Sequence, residues 1–172
     1  MSTKITSLKQ QARRGILRHF VALTSEDRRL RFGRAIGDDV LARYVADLDF
    51  DRDGVFGVRD GRHRLIGVVH VAITADRAEI GLSIAGQARG RGIGTDLFLH
   101  AAAYARERGV ECIDMHFLTE NRAMQRIAAK AGMRVDSQGG DSAAFLAMRP
   151  PGTVAAMLPL FCDIDMYAAG RA

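Results

Sequence analysis

The sequence predicts an α/β fold, an α+β sandwich with a mixed sheet, in one domain, and three observations carry that reading. The chain has 172 residues, enough for one core and too few for two ordinary domains. Between Gly54 and Ala85 strand-like segments follow one another across short turns, as antiparallel neighbours do. The period then changes at a glycine-rich loop, and helical and strand patterns alternate to Met148.

The elements read in order as follows. Met1 to Arg14 is polar and basic with no apolar h-region, so it reads as a flexible tail of residues 1–14 and not as a secretory leader. Gly15 to Leu23 is a mixed apolar stretch, read as the first strand. Thr24-Ser25-Glu26-Asp27 has a capping hydroxyl and an acid three residues on, so a helix starts there. Asp38-Asp39 opens another helix, with Leu41, Tyr44, Val45 and Leu48 on one stripe.

Gly54 to Arg59 and Leu65 to Thr74 are strands around the turn Asp60-Gly61. Ala75-Asp76-Arg77 leads into a strand from Ala78 to Ala85. A helix with Ile93, Leu97, Ala101 and Tyr104 inward ends near Gly109. Val110 to Leu118 is a strand. Glu120 to Ala131 is a helix that Gly132 closes. Met133 to Asp136 and Ala143 to Met148 are strands around Gln138-Gly139-Gly140-Asp141. The domain thus spans residues 15–149, and residues 150–172 form an apolar appendage. Its stretch Val154 to Phe161 needs a cover, and the reading leans to a homodimer.

Composition excludes several classes. No run reaches the roughly 18 apolar residues of a membrane-spanning helix, so a cytoplasmic protein without a membrane partner is expected. The net charge is +5, but the arginines are scattered and no run forms, so no nucleic-acid partner is expected. No cluster has metal-ligand spacing, and no metal is expected.

Gly86 to Gly94 holds four glycines in nine residues, with Arg89 and Arg91 among them. Glycines let a backbone approach a ligand closely. N–H groups at a helix start favour an anion. The loop therefore suits a phosphate. It is not a P-loop, because Gln87 and Ala88 follow Gly86 where Lys and Ser/Thr are needed. The spacing Gly90-x-Gly92-x-Gly94 is not a dinucleotide fingerprint either.

At these residues the sequence resembles the GNAT acetyltransferase superfamily. Arg89-Gly90-Arg91-Gly92-Ile93-Gly94 matches its coenzyme A motif [QR]xxGx[GA], and Asn121 to Met133 is similar to its downstream segment. A narrower likeness, to the GNAT domains of bacterial protein lysine acetyltransferases, lies in Leu23 to Phe32, Ala78-Glu79-Ile80 and Asn121-Arg122-Ala123-Met124. The resemblance implies a mostly antiparallel central sheet with helices on both faces. It implies an enzyme that carries an acetyl group from acetyl-CoA to a primary amine, a protein lysine or a small amine, by direct attack in a ternary complex.

The resemblance also implies roles. Glu79 would be the general base, on a strand face shared with Gly81 and Ser83. The backbone N–H of Ile84 would stabilise the oxyanion. Leu82 and Ile84 would bond the pantetheine arm through their main chain. The amides of Arg89, Gly90, Arg91, Gly92, Ile93, Gly94 and Thr95 would hold the pyrophosphate. Asn121 would bond the cofactor, and its other reading is a helix cap. Where many members carry a tyrosine as general acid, this chain has Ala128. That substitution supports an alternative, a non-enzymatic acyl-CoA-binding regulatory module. Asp114 and His116 share a strand face and, with His70, are further candidates for proton relay.

Overall fold

The computed structural model describes residues 3–148. The appendage, with Val154 to Phe161 and its expected cover, lies outside them. Seven strands form one sheet in the order β1-β2-β3-β4-β5-β7-β6. They are β1 (Ile5–Ser7), β2 (Gly54–Arg59), β3 (Leu65–Thr74), β4 (Arg77–Ile84), β5 (Cys112–Leu118), β6 (Arg134–Gln138) and β7 (Asp141–Ala147). Every neighbouring pair is antiparallel except β4 with β5. Helices α1 (Arg13–Val21), α2 (Ser25–Phe32), α3 (Asp38–Ala46), α4 (Ile93–Glu107) and α5 (Arg122–Lys130) complete the sandwich.

The two faces of the sheet have separate cores, as strand alternation requires. Val69, Val71, Ile80 and Leu82 pack on Leu97, Phe98 and Ala101 of α4 and on Ile127 and Ala128 of α5. Val55, Leu65 and Val68 pack on Ile16 and Phe20 of α1 and on Leu41 and Val45 of α3. The stripe expected on α3 is the buried one, and Leu48 extends it just past the helix.

Two expectations are corrected. Gly15 to Leu23 is helical over most of its length, not a strand. Its buried residues, Ile16, His19, Phe20 and Leu23, recur at i, i+3, i+4 and i+7, which is the helical period. The tail is also in the fold: Ile5, Thr6 and Ser7 pair with Val58, Gly57 and Phe56, and Leu8 is buried. An edge strand of three residues is too short to show an alternating pattern.

Arginines do structural work that composition hides. Arg28 donates to the carbonyls of Val21 and Leu23 at the end of α1, and Arg13 to those of Val45, Ala46 and Leu48 at the end of α3. Each satisfies carbonyls that a helix end leaves without partners. Among the described residues no helix is long and apolar enough to cross a membrane.

Candidate active site

The parallel pair β4–β5 is short. It runs from Arg77 opposite Cys112 to Glu79 opposite Asp114, and beyond that point the strands part. From Ile80 to Ile84 β4 is paired on one side only, with β3. The N–H of Ala85 donates to Ile66 O at 2.9 Å on that paired side. Main-chain groups alternate along a strand, so those of Ser83 and Gly81 also turn to β3, and those of Leu82 and Ile84 turn into the gap. The Ile84 carbonyl agrees, accepting from Nε and Nη2 of Arg89 at 3.2 Å each.

The gap leads straight into the glycine loop. After one 3-10 turn, Gly86–Ala88, the chain reaches α4 through Gly90 at φ +75° and Gly92 at φ +81°. Side chains rarely take that left-handed conformation, and a Cβ at either position would meet nothing within 4 Å. Gly92 caps α4 with no side-chain bond, so the first-turn N–H groups stay open to an anion. Gly94 serves packing instead, since its Cβ would sit 3.3 Å from Ile127 of α5. Arg91 donates to Gln87 O at 3.1 Å, and Arg89 also pairs with Asp27 of α2 at 2.6 Å. Burial pushes the Asp27 carboxyl up, but hydrogen bonds from Arg89 and Thr24 outweigh it and hold it below the usual range.

On the α1–α3 face of β4 stand Glu79, Gly81 and Ser83, as alternation requires. Glu79 is exposed. The small residues beside it do not leave the open channel that their size suggests. A Cβ on Gly81 would lie 2.1 Å from Nη2 of Arg31, so the guanidinium fills that place. Ser83 is covered by His19 of α1, whose Nε2 is 2.8 Å from its Oγ, and His19 Nδ1 is 3.1 Å from Leu65 O.

A chain of polar groups continues from Arg31. Its Nη2 donates to the Tyr44 hydroxyl at 3.1 Å, which is 2.9 Å from His70 Nδ1. His70 Nε2 is 3.0 Å from Asp53 Oδ2, and Asp53 Oδ1 accepts from Ile73 N and Arg52 Nε. Burial raises the Tyr44 phenol, and the charge of Glu79 acts on both Tyr44 and His70. Arg31, Tyr44 and Asp53 were not among the residues that the sequence singled out for the site. The register His70 opposite Gly81 is what gathers them, and register is a property of strand pairing.

The neighbouring strand adds a second cluster. Asp114 is buried, accepts from Arg77 Nη2 at 3.2 Å and lies 3.4 Å from His116 Nε2. His116 stands two residues beyond the last β4–β5 pair, at the fork. Ala128 is fully buried in the α5 core, and Tyr104 packs on Phe56 of β2, on the face away from Glu79.

Asn121 caps α5. Its Oδ1 accepts from Met124 N at 3.2 Å, and its Nδ2 donates to Leu30 O of α2 at 3.3 Å. The cap role weighed in the sequence is therefore present. Asn121→Ala is expected to cost about 1 kcal/mol of stability in urea unfolding. A change within a few tenths would mean that the cap is replaceable.

Buried His19 and partly buried His70 give the fold a pH dependence. Burial lowers the pKa of His19 and of His70, against the hydrogen bonds that raise it. The folded chain resists protons that unfolded histidines take up below roughly pH 6.5. Stability is therefore full above that value and falls as pH drops through it, by up to about 1.4 kcal/mol per pH unit for each histidine. Urea unfolding from about pH 8 to about pH 5.5 reads the slope. His19→Gln, which cannot titrate, should flatten it. An unchanged slope would remove His19 from this account.

Comparison with known proteins places these features. A family model described as the acetyltransferase (GNAT) domain matches residues 14–134. Among solved structures, the GNAT domain of S. lividans PAT is similar at TM-score 0.72 and 20% identity, over 85% of this chain and 90% of that one. A GNAT superfamily phosphinothricin acetyltransferase from Sinorhizobium meliloti, in complex with AcCoA, reaches TM-score 0.71 at 12% identity, over 91% and 95%. Ribosomal-protein-alanine N-acetyltransferase from Brucella melitensis reaches 0.66 at 15%, over 83% and 96%. At these identities the likeness is one of fold, and each acceptor so named belongs to that protein.

Proposed function

Because this chain belongs to the GNAT acetyltransferase family, whose enzymes use acetyl-CoA, we propose that it transfers an acetyl group to a primary amine, by direct attack in a ternary complex. One observation carries this reading. β4 and β5 part after Glu79 and Asp114, and the unpaired edge of β4 runs into the open start of α4. Acetyl-CoA supplies the acyl group as a thioester.

This chain's residues then divide the work. The N–H groups from Arg89 to Thr95 bind the pyrophosphate, aided by the dipole of a helix of 15 residues. The main chain of Leu82 and Ile84 extends like a half-finished ladder and bonds the amides of the pantetheine arm. The Ile84 N–H, turned into the gap, donates to the oxygen on which charge develops under attack. Glu79 takes the proton of the attacking amine, directly or through water. Asn121 holds α5 against α2 at the mouth, and a cofactor contact would be an addition to its cap. Ala128 offers no proton, so the leaving thiolate takes one from water or from the amine.

The test is thermal unfolding with and without acetyl-CoA, followed by thiol release with a panel of primary amines. Stabilisation by about 2.7 kcal/mol is expected at 100 times the dissociation constant, with amine-dependent thiol release. No stabilisation of the folded protein would sink the reading.

A further inference from the structure

Arg31 differs from most arginines around the site. Arg91 also lacks a carboxylate partner among the described residues, but it is exposed and bonds a carbonyl, whereas Arg31 is partly buried. Arg28, Arg29, Arg77 and Arg89 each have a carboxylate partner. Arg31 has none among the described residues. One Nη2 bond goes to Tyr44, and its Nε is buried without a partner. The guanidinium lies between aromatic faces, 4.7 Å from the Phe32 ring centroid and 5.9 Å from that of Tyr44. Withdrawing a cation from water is costly unless an anion meets it. Gly81 is what admits it, because any Cβ there would collide with Nη2. So β4 carries an exposed carboxylate at Glu79 and, two residues on, an unpaired guanidinium on the same face.

We propose that Arg31 binds an anionic group of the acceptor, which is then a small zwitterionic amine: an amino acid or a close analogue with a carboxylate a few bonds from its amine. This rests on the amine acetyltransferase reading above. Two positions on one strand face are about 6.6 Å apart. Charge-assisted hydrogen bonds take about 2.8 Å at each end. A ligand that stands off this face and bonds both groups at once therefore carries its amine and its carboxylate on one short backbone, a few bonds apart. A linear polyamine would meet Arg31 with a like charge. A lysine side chain within a peptide carries no carboxylate near its amine. A planar fork of donors also matches a carboxylate in geometry, which a lysine at this position would not.

The test compares free amino acids with their carboxamides, a linear polyamine and an end-blocked lysine peptide, by thiol release from acetyl-CoA. Wild type should prefer free acids over the matching carboxamides by roughly 10- to 100-fold in kcat/KM. Arg31→Met should collapse that ratio to near one. Gly81→Ala should shrink it too, by displacing the guanidinium without removing its charge. Both variants should keep the thermal stabilisation by acetyl-CoA. A merely structural stack predicts equal losses for acid and amide, and that result overturns the proposal. Preference for the carboxamide, the polyamine or the peptide overturns it as well. So does a panel in which nothing is acetylated although acetyl-CoA stabilises the protein, and in these cases the acyl-CoA site stands. Absence of that stabilisation in wild type removes both readings together.

Discussion

Glu79→Gln is expected to lower kcat/KM for the amine by about 10²- to 10⁴-fold, with stabilisation by acetyl-CoA unchanged. An alkyl amine has a pKa near 10.4, so offering it neutral at pH 7 costs about 4 to 5 kcal/mol. A carboxylate at the fork offsets part of that by taking the proton as the bond forms. Glu79 has the position for it. It is the last β4 residue paired with β5, it is exposed, and its neighbour Gly81 carries Arg31. Glutamine keeps the shape and removes the base. The deficit should therefore shrink as pH rises toward about 10, where the amine is already neutral. A merely structural carboxylate would leave a loss that pH does not repair. An unaltered rate would move the base to His116, held 3.4 Å from buried Asp114 across the fork.

Much of this arrangement could be read from the sequence, and what could not follows a pattern. Strands β2 to β7 and helices α2 to α5 were legible because each has a local cause. Thr24 caps α2 through the N–H of Asp27, and Gly132 leaves α5 in the left-handed conformation at φ +68°. The glycine loop was legible because Gly90 and Gly92 need positive φ. Alternation correctly placed Glu79, Gly81 and Ser83 on one face. What it did not supply was the partner of that face. Arg31 on Gly81 and His19 on Ser83 join residues about fifty and sixty positions apart, through packing that no local pattern encodes. The same holds for Arg13 and Arg28, whose targets are the ends of other helices. The first segment failed for a different reason. Ile16, Val21 and their neighbours carry strand propensity, and tertiary burial of the helical stripe overrode it.

Gly92→Glu is expected to abolish stabilisation by acetyl-CoA while leaving the apoprotein folded. The backbone there has φ +81°, so any side chain costs about 1 to 2 kcal/mol in conformation. No atom lies within 4 Å of the new Cβ, so packing adds nothing. A carboxylate at a helix start also recovers part of that cost by meeting the open N–H groups. The same contact occupies the place proposed for the pyrophosphate and puts a like charge beside it. For a domain of this size the lost 2.7 kcal/mol corresponds to roughly 5 to 10 °C of ligand-dependent shift. Gly92→Ala separates the causes, since it carries the same backbone cost without the charge. If alanine keeps most of the shift and glutamate loses it, the site is an anion site built from main-chain donors. If alanine loses as much, close approach of the backbone decides binding. If both keep the full shift, the start of α4 does not hold the cofactor, and the parted strands alone would have to explain the affinity.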